Sequence, residues 1–185
     1  MLRHLVLCIS LAAWELAGFQ QTPAGSSRPN LKAIAAGEIG SHMPDFSTRD
    51  LHGRRISSAS LNGKVVLIDF WATWCQPCKK EMPGYQKLAD RYGPHGFAVI
   101  GFKLDTMADA EEPHAFARRL GIRYPLAIAT DELKNKFGGI EGLPTTLLYD
   151  RQGILRQKII GFEYTNVIET DLKPLIHTET QRVKR

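Results

Sequence analysis

The chain predicts an α/β layer fold with a central mixed β-sheet flanked by helices, on three observations. Apolar, β-branched runs at 64–70 and 97–104 read as buried strands, and helical stretches separate them. Two further strands near the end, 145–149 and 154–160, flank Asp150-Arg151-Gln152-Gly153, a tight-turn signal that closes them into a hairpin. At 185 residues, with 43% hydrophobic and 23% charged side chains, the chain is sized and composed for one globular domain. The net charge of +5 is modest, and Arg182, Lys184 and Arg185 supply much of it from the last four positions. That reads as a solvated basic tail over 178–185, without the dense basic stripe of a nucleic-acid partner.

From the start, Arg3 and His4 precede an apolar run, Leu5 to Ala13. Nine residues fall short of the about 20 that cross a bilayer, and this order matches a secretory signal, assigned to 1–26. Small residues suited to cleavage stand at Ser10-Leu11-Ala12, Thr22-Pro23-Ala24 and Ala24-Gly25-Ser26; Glu15 fits the pattern poorly. Cys8 would leave with the signal. Residues 27–40 read as a linker, and 41–177 as the folded domain.

Within that domain, Phe46–Thr48 and Arg54–Ser57 can pair across Asp50-Leu51-His52-Gly53 as an N-terminal hairpin. The strand over 64–70 runs into a turn and then a helix over Gln76–Tyr92. After the strand at 97–104 come a helix over Glu111–Leu120, a strand over Pro125–Ala129, and a short helix over Asp131–Phe137 with Asp131 as its cap. The last helix spans Thr165–Ile176.

With Cys8 removed, two cysteines remain, Cys75 and Cys78, too few for a disulfide scaffold. They open the helix after the first buried strand, in Trp74-Cys75-Gln76-Pro77-Cys78. Unpaired first-turn N–H groups pointing at the Cys75 sulfur favour thiolate, the attacking species in disulfide exchange. Pro77 suits the first turn, where its missing N–H costs nothing. Trp74 is expected to cover the pair and leave one sulfur accessible. A structural zinc site needs four ligands, and neither a second C-x-x-C nor a ligand-spaced histidine pair accompanies this one. Lys79 follows the pair where c-type haem attachment needs His. No metal and no cofactor are expected.

On this frame, Phe70-Trp71-Ala72-Thr73-Trp74-Cys75-Gln76-Pro77-Cys78-Lys79-Lys80-Glu81-Met82-Pro83 resembles the exported TlpA-like and ResA-like thiol–disulfide oxidoreductases of the thioredoxin superfamily. The similarity runs from about Ile39 to Ile176. It implies a thioredoxin-like fold, with the N-terminal hairpin and a central strand–helix insertion near 107–128. Pro83 matches the family's helix-kinking proline. Gly142-Leu143-Pro144-Thr145-Thr146 matches its cis-proline loop, which implies that Leu143 and Pro144 meet the substrate beside the cysteines. Asp69, six residues before Cys75, matches the thioredoxin aspartate that takes the proton of the second cysteine, where the exported branch often has Asn. Lys103 matches a thioredoxin lysine able to pair with that aspartate. Glu81 matches the ResA-like acidic residue and is the rival base.

The resemblance implies that Cys75 attacks a substrate disulfide and Cys78 resolves the mixed disulfide, with a membrane electron donor reducing the pair again. Implied substrates are apocytochrome c or other exported proteins, and the chain is expected to act as a monomer. A disulfide donor, a thiol peroxidase and, from another class, a non-catalytic copper chaperone of the Sco-like kind are the other readings. The last is disfavoured because those proteins use C-x-x-x-C plus His.

Overall fold

The computed structural model describes residues 35–104 and 111–177, which belong to one compact unit. The signal assigned to 1–26, most of the 27–40 linker and the 178–185 tail lie outside the described residues. Among the described residues no helix is long and apolar enough to cross a membrane.

A short antiparallel hairpin, β1 (Ser47–Arg49) and β2 (Arg55–Ser57), precedes the main sheet. That sheet contains β3 (Val65–Trp71), β4 (Phe97–Leu104), β5 (Leu126–Ala129), β6 (Thr145–Tyr149) and β7 (Leu155–Ile160), in the order β5-β4-β3-β6-β7. β3, β4 and β5 run parallel, β6 runs antiparallel to β3, and β7 antiparallel to β6, so the sheet is mixed. Helices α1 (Gln76–Tyr92), α2 (Pro113–Leu120), α3 (Asp131–Lys136) and α4 (Thr165–His177) connect or follow the strands. This is the mixed α/β architecture that the strand–helix alternation implies, and it is thioredoxin-like.

β3 lies at the centre, and all seven of its residues are buried. Alternation along it feeds two cores. Val65, Leu67 and Trp71 pack with α1, α2 and α4, while Val66, Ile68 and Phe70 pack with the hairpin, α3 and an aromatic group of Phe46, Phe102 and Phe137. Asp69 falls on the α1 face by the same alternation. α1 and α4 meet closely: a Cβ on Gly84 would lie within 1.9 Å of the Thr165 hydroxyl, so a larger residue there needs Thr165 to move.

Two boundaries differ from expectation for reasons of capping. α2 begins at Pro113, because the Glu112 carboxylate accepts the His114 and Ala115 N–H groups as its cap, and proline tolerates the first turn. α3 is capped by Thr130, not Asp131; the Thr130 hydroxyl accepts the Leu133 N–H at 3.2 Å, and Asp131 turns outward to Lys134.

Candidate active site

β3 ends at Trp71, and a turn through 72–74 leads to Cys75, which caps α1. The Cys75 N–H donates to the Ala72 carbonyl, and the Cys78 N–H donates to the Cys75 sulfur at 3.3 Å. A first-turn amide therefore lies on that sulfur, as the helix-start argument requires. Cys75 and Cys78 form a disulfide, with Cα atoms 5.3 Å apart. Pro77 occupies the first turn. Cys75 is 3% exposed and Cys78 fully buried. The order matches expectation, but the openness expected at Cys75 is not there, since both cysteines sit in the apolar cluster around α1. Trp74 stands beside them, 44% exposed. Leu143 packs against the same cluster, and the Leu143–Pro144 bond is cis.

The strand and helix that meet at the cysteines each carry a buried carboxyl group, Asp69 on β3 and Glu81 on α1. Asp69 is fully buried and Glu81 is 1% exposed. None of their four oxygens has a partner in full hydrogen-bond geometry, although the Glu163 backbone N–H and the Tyr85 hydroxyl lie near enough to act on Glu81. A buried polar atom left so costs about 1–3 kcal/mol, and a charged one more; a carboxyl group escapes the cost of the buried charge by holding a proton. Burial accordingly pushes Asp69 well above the usual carboxylate range. Glu81 is raised by burial first and then by the Asp69 charge, while the nearby Glu163 backbone N–H and Tyr85 hydroxyl oppose the rise.

The expected pairing of Lys103 with Asp69 is not made. Asp69 stands opposite Gly101 in the β3–β4 ladder, and Lys103, two residues on, directs its ammonium to the Leu104 carbonyl at 3.1 Å. The strand ends there, so a local carbonyl is within reach. Lys103 is nonetheless buried, at 2% exposure.

Sequence reasoning missed the aromatic surroundings of the two acids. Tyr85, one turn after Glu81, shares a hydrogen bond of 3.0 Å with Thr146, the residue opposite Asp69 in β6. The i, i+4 spacing from Glu81 was a usable signal for Tyr85. Tyr124 and Trp71 also reach this region, and the separation of Tyr124 in sequence left no signal for it. Among the described residues, no group of three or more His, Cys, Asp or Glu is placed to hold a metal ion.

Residues 39–158 match the AhpC/TSA family. The chain is 34% identical over 138 residues to the thiol-disulfide oxidoreductase ResA of Bacillus thuringiensis (strain Al Hakam), covering 75% of this chain and 79% of that protein. Among solved structures, a thiol:disulfide interchange protein of the thioredoxin family from Chlorobium tepidum TLS is 30% identical, with a TM-score of 0.67 over 76% of this chain and 99% of its own. A secreted Mycobacterium tuberculosis disulfide oxidoreductase, homologous to E. coli DsbE, shares the fold at 19% identity and a TM-score of 0.61, over 70% of this chain and 96% of its own.

Proposed function

Because the chain belongs to the AhpC/TSA family and is a thiol–disulfide oxidoreductase of the ResA/DsbE type, we propose that it works outside the cytoplasm as a reductant of protein disulfides, of the cytochrome c maturation kind. The observation that carries the proposal is Cys75 at the N-cap of α1, with the Cys78 amide on its sulfur and buried carboxyl groups on the strand that leads to the pair and the helix that carries it.

In the reduced protein, the Cys75 thiolate attacks one sulfur of a substrate disulfide. A Cys75–substrate bond forms, the substrate S–S bond breaks, and the second substrate sulfur leaves as a thiolate. Once the Asp69–Glu81 pair has given up a proton, Cys78 passes its own proton to the pair and attacks the Cys75 sulfur. The mixed disulfide breaks, the first substrate sulfur leaves, and Cys75–Cys78 is oxidised, with two electrons delivered. Asp69 is the first acceptor of that proton and Glu81 its rival. Pro77 and Trp74 support the site, and Lys103 lies at its edge. Leu143 and Pro144 receive the substrate chain in strand-addition fashion. A membrane electron donor restores the dithiol, and the protein acts as a monomer. Location outside the cytoplasm is supported by the basic-then-apolar start of the sequence.

Two experiments test this. Cys75→Ser abolishes reduction of insulin, whereas Cys78→Ser retains attack and accumulates a mixed disulfide at Cys75; trapping by the Cys75 variant instead would reverse the roles. Alkaline phosphatase fused after residue 40 is active, and an inactive fusion with the protein in the cytosol removes the proposed location.

A further inference from the structure

Behind the cysteines, donors and acceptors are buried together without being joined. The acceptors are the four oxygens of Asp69 and Glu81; the donors are the Trp71 indole N–H and the Tyr124 hydroxyl, both buried and without a direct partner. The Trp71 indole nitrogen and the Tyr124 ring both come to Gly101. That residue faces Asp69 across the β3–β4 ladder, and a Cβ built on it would lie 3.0 Å from the Trp71 indole nitrogen and 3.3 Å from the Tyr124 ring. The charges of Asp69 and Glu81 both act on Tyr124. Tyr85 differs, because its hydroxyl is already engaged with Thr146.

Tyr124 is also held in place. The Gln86 side-chain oxygen accepts the Arg123 N–H at 2.6 Å and the Tyr124 N–H at 3.1 Å. Asp90 holds the other end of that amide at 2.8 Å and accepts the Arg123 guanidinium at 2.6 Å. The segment before β5 is thereby fastened to α1, the helix that carries Glu81.

We propose that Tyr124 is a positioning residue of the redox site, its hydroxyl donating to the Asp69–Glu81 pair through buried water shared with the Trp71 N–H, and so setting the pH at which the pair accepts the Cys78 proton. A water there would join these unpartnered donors and acceptors, taking two to four of them as partners. The proposal rests on the exchange chemistry proposed above. Every element packed on the pair contributes to its environment: Cys78, Glu81 and Tyr85 from α1, Asp69 from β3, Lys103 from β4, Tyr124 before β5, and Glu163 before α4. Tyr124 is the one among these that offers an uncommitted buried hydroxyl. A donor favours the charged carboxylate, so its loss makes deprotonation harder and moves the working pH upward.

The test is Tyr124→Phe in the full chain, which removes one oxygen and keeps the ring. The reduced protein is mixed with a disulfide-linked peptide, and release of the second thiol is followed from mildly acid to alkaline pH. The expected result is a midpoint raised by about half to one pH unit, with release near neutral pH slowed by about threefold to tenfold. An unchanged midpoint in a folded variant overturns the proposal, because a residue that only packs would leave the profile in place. Carbon-13 titration of the oxidised native protein provides a second arm, independent of exchange activity and of whether the variant folds. The Tyr124 Cζ signal moves as the Asp69 and Glu81 carboxyl signals titrate; a Cζ signal constant through those steps also overturns the proposal. A native protein that releases no thiol at any pH removes the exchange reading instead, and the carbon-13 arm still decides the place of Tyr124.

Discussion

Asp50, in the hairpin turn, and Asp69, at the end of the central strand, are both buried, at 5% and 0% exposure. Around Asp50, burial would raise the carboxyl, but the Arg54 backbone and guanidinium and the His52 N–H outweigh it and hold the group below the usual range. One oxygen accepts the His52 and Arg54 N–H groups at 2.9 and 2.8 Å, and the other the Arg54 guanidinium at 2.7 Å. Asp150 repeats the device in the β6–β7 turn, accepting the Gln152 and Ile154 N–H groups and the Arg156 guanidinium. In both turns a glycine with positive φ, Gly53 or Gly153, sends its N–H back to the aspartate carbonyl. Asp69 has none of this and moves the opposite way. Burial alone does not assign a role to an aspartate. Its partners do, and the unpartnered one is the one on the strand that leads into the cysteine turn.

The largest expected effect separates the two aspartates in the reaction itself. Asp69→Asn slows resolution of the mixed disulfide by about 100-fold, the lower range for loss of a general base, and leaves its formation nearly unchanged. Asp50→Asn changes neither step. Stopped-flow measurement of both steps checks this. Slowing by Glu81→Gln alone would move the proton to Glu81 and make Asp69 a structural carboxyl.

Stability gives the next largest effect, and its sign follows from the direction of the Asp69 shift. The folded state keeps the Asp69 proton at pH values where the unfolded chain has lost it. Stability is therefore complete below the unfolded carboxylate pKa of about 4 and falls as pH rises toward the raised folded value. Each pH unit of upward shift removes about 1.4 kcal/mol. Asp69→Asn abolishes that slope, so the variant outlasts the native protein in urea near neutral pH and matches it more closely in acid. Equal pH slopes for the two proteins would show that Asp69 is solvated.

A smaller effect tests whether the two acids act as one unit. The Asp69 charge is a secondary cause of the Glu81 rise, after burial. Asp69→Asn accordingly lowers the Glu81 titration by about half to one pH unit without returning it to the ordinary range, because burial remains. Linkage requires Glu81→Gln to lower the Asp69 titration in the same way. Carbon-13 spectra of the carboxyl groups read both shifts, and independent titrations would divide the pair.

The contrast also marks what was legible in the sequence. An Asp at the end of the apolar run 64–70 had to be buried, and two Asp-x-x-Gly segments had to be turns, because local pattern decides both. The extent of α1 was equally readable, from its cysteine-led start to Tyr92. Whether a charged partner reaches a buried acid depends on register and rotamer. Lys103 lies on the neighbouring strand and face, yet bonds the Leu104 carbonyl. The choice between Thr130 and Asp131 as the α3 cap turned on similar side-chain detail. Tyr124 stood furthest out of reach, since it arrives from a loop 55 residues along the chain, carried by a Gln86 contact that no periodicity encodes.

The smallest effect belongs to the partnered aspartate and runs opposite in pH. Because Asp50 is held below the ordinary carboxylate range, the unfolded chain takes up its proton first as pH falls. Its contribution is present above the unfolded pKa of about 4 and is lost as pH drops through the lowered folded value. Asp50→Asn keeps an oxygen for the His52 and Arg54 N–H groups and loses only the charge facing the Arg54 guanidinium. That side chain is 63% exposed, so solvent screens the pair and the expected cost near neutral pH is about 0.5–1 kcal/mol. The difference between variant and native protein should shrink in acid, where the native carboxylate also becomes neutral. Urea unfolding at neutral and acid pH measures it. A loss that grows in acid would mean that the Arg54 contact contributes nothing and that the turn is held by its backbone bonds alone.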